Sequence, residues 1–142
     1  MKNLTTKLMI ATAALVAVTG VASAQSMEAK IPFAFRANGK VFAAGTYRVH
    51  LNRTPTGGVL LDIRDAEART QVLTYTSYAG DAKESWKNGG DGVLAFRCGV
   101  SRCVLQDVWM GMGSTYRLPT PGLGKEEPLR TAEIQMHAVK SE

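Results

Sequence analysis

Apolar and polar side chains alternate along most of this chain from position 31 onward. In one segment Tyr47, Val49 and Leu51 occupy every second position, and polar or charged residues fill the positions between them. A period of two places successive side chains on opposite faces of a β-strand, so each such segment predicts a strand with one buried face. The inward-facing residues that the pattern predicts are Phe33, Phe35, Tyr47, Val49, Leu61, Ile63, Leu94, Phe96, Leu105 and Trp109.

Turn residues separate the predicted strands. Asn38-Gly39 is a strong hairpin signal, because both central residues of a type I′ turn need positive φ. It predicts that the strands on either side of it pair, with Phe42 opposite Phe35. A second turn is predicted at 55–58, and the segments 93–98 and 103–110 are predicted to form a further hairpin.

The spacing of these segments predicts the fold class. Strand-sized runs with a turn signal after each favour an all-β fold, a single antiparallel β-sandwich or small barrel of about seven to eight strands. The polar, glycine-rich stretch 80–92 predicts a long loop, and 111–128 predicts a Pro/Gly-rich surface loop. The segment 131–139 alternates as a strand would, but its composition also permits a short helix.

The first 24 residues have the three parts of a secretory signal peptide. A segment with Lys2 and Lys7 precedes an apolar run at 8–21, and small residues at 22–24 form a cleavage site between Ala24 and Gln25. The run is shorter than the roughly 20 apolar residues of a membrane span. We therefore expect a cleaved signal at 1–24, a β-domain at 25–142 without a stable membrane anchor, and export to the bacterial periplasm or beyond the cell.

Length and charge exclude several classes of protein. The 142 residues carry 17 Lys and Arg against 12 Asp and Glu, a net charge of +5, of which the predicted signal contributes two. The chain is too short for a multidomain enzyme, and its basic residues are dispersed rather than clustered as on a nucleic-acid surface. We expect no nucleic-acid partner; the sequence does not identify the partner and leaves an envelope polymer or a protein open as alternatives.

The two cysteines predict a structural disulfide. Cys98 and Cys103 are separated by four residues and end facing strands of one predicted hairpin, which brings them within reach of a bond. An oxidising compartment favours the bond. A redox-active dithiol is the alternative, but such thiols are two residues apart at the start of a helix.

Asp107 is an acidic residue where the alternation predicts an inward face, shared with Leu105 and Trp109. Such a carboxylate is either exposed at an open part of the face or partly buried and paired with an arginine. We predict a structural ion pair, and a ligand-binding acid is the alternative. His50 and His137 occupy the polar phase of their strands, so we expect solvated surface positions.

The sequence contains no catalytic motif that we recognise. It has no Gly-x-Ser-x-Gly segment, and an enzyme would need at least two of Asp107, His50 and His137 to converge in one cleft. Copper is an alternative at His137 with Met136 and two further methionines, Met110 and Met112, because imidazole and thioether ligands suit it. We expect no catalytic residue, no metal and no cofactor.

Several segments resemble a family of short exported proteins abundant in acidobacteria, to which no activity is assigned. The likeness covers roughly positions 29–119 and lies in strand ends and turns, so it implies a fold rather than a reaction. The cysteine pair is a departure from the family pattern. The matching residues are Ile31 to Phe35, Gly39-Lys40, Ala44 to Val49, Leu94 to Phe96, Arg102 to Trp109 and Leu118-Pro119.

Two kinds of binding function follow from a β-domain without a recognised active site. The first is a non-catalytic envelope or extracellular protein that binds or scaffolds through its loops. The second is a small carrier that holds an apolar ligand inside a barrel, and it requires an empty apolar space there.

Overall fold

The computed structural model describes residues 26–67, 69–89, 91–119 and 130–139. This part of the chain forms ten strands and one short helix. The signal peptide predicted at 1–24 and its cleavage site between Ala24 and Gln25 lie outside the described residues. The elements are β1 Ser26–Ile31, β2 Phe35–Ala37, β3 Lys40–Phe42, β4 Gly45–Arg53, β5 Val59–Asp65, β6 Gln71–Asp81, α1 Glu84–Lys87, β7 Val93–Cys98, β8 Cys103–Trp109, β9 Ser114–Arg117 and β10 Arg130–Ala138.

Eight of the strands close into an antiparallel barrel in the order β8-β7-β10-β1-β4-β5-β6-β9, with β9 returning to β8. The prediction of an all-β antiparallel domain is confirmed, and of its two architectures the barrel is the observed one. The two further strands, β2 and β3, form a hairpin outside the ring. β2 pairs in parallel with the beginning of β8, and β9 pairs with the end of β8 on the same edge.

The last strand decides whether the ring is closed. β10 pairs antiparallel with β7 on one side and with β1 on the other, so it connects these two strands within one sheet. The segment 131–139, which the sequence left open between strand and helix, is therefore strand over almost its whole length. A helix there would leave the edges of β1 and β7 without a partner for their backbone groups.

The barrel interior is packed with apolar side chains. Of the predicted inward residues, eight lie in the main core, whereas Phe33 is only partly buried and packs against it. Trp109 was predicted in the same core, and that prediction is wrong because it belongs to a separate cluster on the outer face. The largest side chains buried almost completely are Phe35, Phe42, Phe96, Ile31, Leu61, Ile63, Leu94, Leu105, Leu118, Met136, Val49 and Val108.

A β-bulge in β8 explains the position of Trp109. Leu105 pairs with Phe96, but the next pair along the ladder joins Asp107 to Ala95, so Gln106 is an extra residue on β8. One extra residue reverses the alternation of side chains beyond it. Val108 therefore faces the core, and Trp109 and Asp107 face outward.

Two predicted loops contain regular structure. In the stretch 111–128, residues Ser114–Arg117 form β9, because pairing with both β6 and β8 satisfies their backbone groups and closes the ring. The residues 120–128 of that predicted loop lie outside the described ranges. In the stretch 80–92, β6 continues to Asp81 and α1 follows at Glu84–Lys87.

The short helix covers part of the outer face of the barrel. Trp86 on α1 is 5% exposed and packs with Ala82, Trp109 and the outward residues Val93 and Ala95 of β7. A single turn of helix has little intrinsic stability, so this apolar contact holds it in place. No helix in the described ranges is long and apolar enough to span a membrane.

Candidate functional site

A surface groove of about 710 Å³ lies at one end of the barrel, where β4 begins, β5 ends and β6 begins. This volume is within the usual range for ligand sites. One wall is β3 and its connection to β4, the other is the turn from β5 to β6, and the start of β4 forms the floor. The lining residues are Val41, Phe42, Ala43, Ala44, Gly45, Thr46, Tyr47, Asp65, Ala66, Glu67, Arg69 and Thr70.

The Asn38-Gly39 turn positions the first wall. Both residues have positive φ, 50° and 76°, and the turn pairs Phe35 with Phe42 as predicted. In a two-residue hairpin the residues flanking the turn exchange hydrogen bonds, and the next pair does not. That next pair is Arg36 and Val41, so the N–H and C=O of Val41 point away from β2.

No described strand pairs with that edge of β3. It is the last strand in the sheet order, and the side chain of Val41 is 59% exposed. The groove therefore has at its rim an apolar side chain together with one backbone donor and one backbone acceptor.

An aromatic cluster fixes this wall from below. The Phe42 ring stacks on Phe35 with centroids 5.1 Å apart and meets the edge of Tyr47 at 5.6 Å. The Tyr47 hydroxyl donates a hydrogen bond to the carbonyl oxygen of Ala43, at the corner between β3 and β4. Because Phe42 and Tyr47 are almost fully buried, the groove presents their edges rather than exposed ring faces.

The Tyr47 hydroxyl remains protonated well into the alkaline range. Burial, with a smaller contribution from the carboxylate of Asp65, raises the pKa of Tyr47 above its ordinary value of 10.0. The hydroxyl therefore remains a donor to Ala43 at neutral pH.

Tyr47→Phe tests this assignment through the pH dependence of stability. A raised pKa means that the folded chain keeps a proton that the unfolded chain loses above pH 10.0, so stability falls as the pH rises past that value. The variant should lose about 1 kcal/mol at pH 7 with the hydrogen bond to Ala43, and should lack this part of the alkaline decline. Urea unfolding between neutral and alkaline pH measures both effects. The exposed Tyr75→Phe is the matched control, and a wild-type and Tyr47→Phe pair with parallel profiles would contradict the assignment.

The second wall is a turn held by backbone hydrogen bonds. The amide of Asp65 donates to the Thr70 carbonyl at 2.9 Å, and the amide of Ala66 donates to the Thr46 carbonyl at 3.0 Å. The Asp65 Oδ1 atom accepts a hydrogen bond from the Glu67 amide at 3.1 Å. These hydrogen bonds fix the turn internally and connect it to the floor of the groove.

The groove carries a net negative charge. Its charged lining residues are Asp65, Glu67 and Arg69, two acids and one base. Arg69 pairs with Glu67, which leaves the Asp65 carboxylate as the lining charge without a cationic partner among the described side chains. Lys40, which is not a lining residue, donates from its Nζ to the Gln71 carbonyl at 3.0 Å.

The predicted cysteine pair is not among the residues that line the groove. Cys98 and Cys103 are directly opposite in the β7–β8 ladder and are joined as a disulfide. Both are buried at the edge of the main core.

Removal of the disulfide should cost about 2 kcal/mol, because the bond closes only a short loop and so restricts the unfolded chain little. Urea unfolding of the Cys98→Ala/Cys103→Ala variant measures this loss, and adding a reductant should destabilise the wild type alone. A reductant effect of equal size on the double variant would show that the bond is not the cause.

Asp107 forms an ion pair on the outer face, not on the inner face that the alternation predicted. The bulge at Gln106 turns it outward, and 14% of its side chain is exposed. Both of its oxygens accept hydrogen bonds from Arg117, at 2.9 and 3.2 Å. This hydrogen bond, helped by the negative charge, raises the pKa of the Arg117 guanidinium, and the pair joins β8 to β9 where the barrel closes.

The structure does not bring Asp107, His50 and His137 together. His50 on β4 is 3.4 Å from the Ser26 hydroxyl, and His137 on β10 is 3.4 Å from Asp91. β1 lies between these two strands, and three strands separate β8 from β4 in either direction around the ring.

The described residues contain no cluster of three or more His, Cys, Asp or Glu side chains placed to hold a metal ion. The copper alternative requires Met136 and His137 to share one ion. Met136 is fully buried in the core, whereas His137 is exposed beside Asp91 on the other face of β10, so the two do not converge.

Asp62 is the buried acid that the sequence did not single out. It is 5% exposed on the outer side of β5, and its carboxylate accepts hydrogen bonds from Arg64 at 2.7 Å and Gln71 at 2.9 Å. The cross-strand neighbour of Asp62 on β4 is His50, which contacts Ser26 instead. The available signal was the Asp-x-Arg spacing, which places Asp62 and Arg64 on one face of a strand.

Comparison with known proteins adds no family to this geometry: no family model, curated protein or solved structure matches the chain. The groove offers backbone and side-chain groups for binding.

Proposed function

We propose that this chain is an exported, non-catalytic β-barrel protein of the cell envelope or extracellular space, and that it binds its partner in the groove at the end of the barrel. The observation that carries the proposal is the groove itself. It has ligand-site volume, and both walls are fixed by hydrogen bonds and by the aromatic cluster before any partner arrives. A site fixed in advance loses little conformational entropy on binding.

Export is supported by two features that are independent of the groove. The first 24 residues have the pattern of a cleaved signal, and the cysteines are joined as a disulfide, which favours an oxidising compartment. The resemblance to exported acidobacterial proteins also supports the proposal of export.

The carrier hypothesis requires the ligand to enter the barrel. Closure of eight strands favours it, since barrels of this size hold either side chains or one small ligand. The rings of Phe35, Phe96 and Phe42 pack together in the main core, with neighbouring centroids 5.1 and 5.4 Å apart, so side chains already occupy that part of the core. Binding at the outer groove is therefore the better supported of the two.

A titration followed by backbone amide NMR separates these functions. The mature chain is titrated with four probes: maltotriose, spermidine, a capped Val/Lys peptide and the apolar dye anilinonaphthalene sulfonate. We expect at least one of the first three to shift the amides of Gly45, Tyr47 and Asp65. Ala44→Trp should abolish those shifts, because Ala44 is exposed and lines the groove.

Two results would contradict the proposal. Shifts centred on Leu94 and Phe96 with the dye alone would favour the interior carrier. No shift at the groove with any probe would remove the groove as the binding site.

A further inference from the structure

We propose that the groove takes an extended peptide, which adds as a strand to the free edge of β3 and places a basic side chain at Asp65. This inference rests on the proposed function, because it names the partner of the same groove.

The free edge of β3 provides the recognition of backbone. The N–H and C=O of Val41 both point away from β2, and Val41 is one of the residues that line the groove. An incoming strand has the matching acceptor and donor at one residue, so it exchanges two hydrogen bonds with Val41. The neighbouring outward carbonyl, that of Ala43, is already occupied by the Tyr47 hydroxyl. Pairing is thus centred on Val41.

The size of the groove fits a short strand. A strand in a packed sheet occupies about 4.8 Å by 10 Å in cross-section and about 3.3 Å of length per residue, or about 160 Å³ per residue. The groove volume of about 710 Å³ is several times that of one extended residue, so a short strand fits within it.

Charge and apolar contacts define the sequence of the peptide. The exposed Val41 side chain favours an apolar residue beside it. The Asp65 carboxylate, across the groove and without a cationic partner among the described side chains, favours a Lys or Arg. A segment that alternates apolar and basic residues satisfies both requirements.

The same features disfavour two other macromolecular partners. Sugars are commonly bound against exposed aromatic faces, but Phe42 and Tyr47 in the groove are 1% and 3% exposed. An anionic membrane surface attracts basic patches, and the lining of the groove is net acidic.

The test uses a capped hexapeptide of alternating Val and Lys and measures its Kd on the mature chain by amide NMR. We expect shifts at Val41, Phe42 and Asp65. Replacing Lys by Glu in the peptide, or methylating its central amide nitrogens, should weaken binding at least about tenfold, because each change removes a charge-assisted or backbone hydrogen bond.

Protein variants test the same contacts from the other side. Val41→Pro removes only an N–H that faces away from β2, so the β2–β3 hairpin keeps its own bonds, and binding should fall at least about tenfold. Val41→Ala keeps the N–H and is the matched control, with a smaller loss. Asp65→Asn should abolish the preference for Lys over Glu. If Val41→Pro does not fold, the methylated peptide gives the same information on the wild-type chain.

The inference is overturned if the methylated and unmodified peptides bind equally, or if no peptide shifts the groove amides. Should spermidine or maltotriose bind at those amides while every peptide fails, the groove remains the binding site and only the peptide assignment is lost. Failure of all these probes would remove both proposals.

Discussion

Phe35→Ala is expected to destabilise the barrel by about 3–5 kcal/mol, the usual cost of deleting a buried ring. Phe35 is 1% exposed, and its ring contacts three others, with centroid distances of 5.1 Å to Phe42, 5.3 Å to Tyr47 and 5.4 Å to Phe96. Removing it leaves a cavity in the centre of the aromatic cluster, which rigid strands on every side cannot fill. Urea unfolding measures the loss.

Phe33→Ala is the matched control, because it deletes the same side chain at a partly buried position. Phe33 has one aromatic contact, at 5.0 Å to Phe96. We expect less than half the loss seen at Phe35. Similar losses for the two variants would contradict the central role of Phe35. The Phe35 variant should also weaken the binding proposed for the groove, because the Phe35 ring stacks on Phe42, which lines it.

Gly92→Ala is expected to cost about 3 kcal/mol or more, from a strained backbone together with a steric clash. Gly92 has a φ of +120°, which side chains rarely permit, and an added Cβ would lie 2.8 Å from the Trp109 carbonyl oxygen and 3.2 Å from the Met136 side chain. The Gly92 carbonyl also accepts a hydrogen bond from the Met136 amide. The residue thus sits where β7, β8 and β10 meet, and its neighbours cannot move without breaking the ladder.

Gly113→Ala separates the clash from the strain. Gly113 also has positive φ, +72°, but nothing lies within 4 Å of an added Cβ. Its substitution should cost only about 1–2 kcal/mol. Both variants are compared by urea unfolding, and an equal loss for Gly92 and Gly113 would show that the close approach to Trp109 does not matter.

The strands and two hairpins, β2–β3 and β7–β8, could be predicted because their signals are local. Alternation identified the inward phase of Tyr47, Val49, Leu61 and Ile63, since a period of two is a property of strand geometry alone. The Asn38-Gly39 turn likewise fixed the pairing of Phe35 with Phe42.

The signals failed where pairing partners decide the outcome. The bulge at Gln106 reversed the faces of Asp107 and Trp109, and nothing in the sequence of β8 marks an extra residue. The four residues of β9 were predicted as loop. They form a strand because they pair with both β6 and β8, and a local pattern does not show these partners. Asp62 was missed as a buried acid because its burial depends on Gln71 from the next strand.

The sequence by itself determined the class of fold and the reach of the disulfide, because each depends on residues near one another in the chain. Only the tertiary structure decided that the sheet closes, that no described strand pairs with the outer edge of β3, and that Val41 on this edge lines the same groove as Asp65. Those features arise from contacts between residues far apart in sequence, such as Lys40 with Gln71 and Ala66 with Thr46. Each wall contains a turn that is local in sequence, but the placement of the two walls opposite each other depends on such contacts, so the sequence alone did not predict the groove.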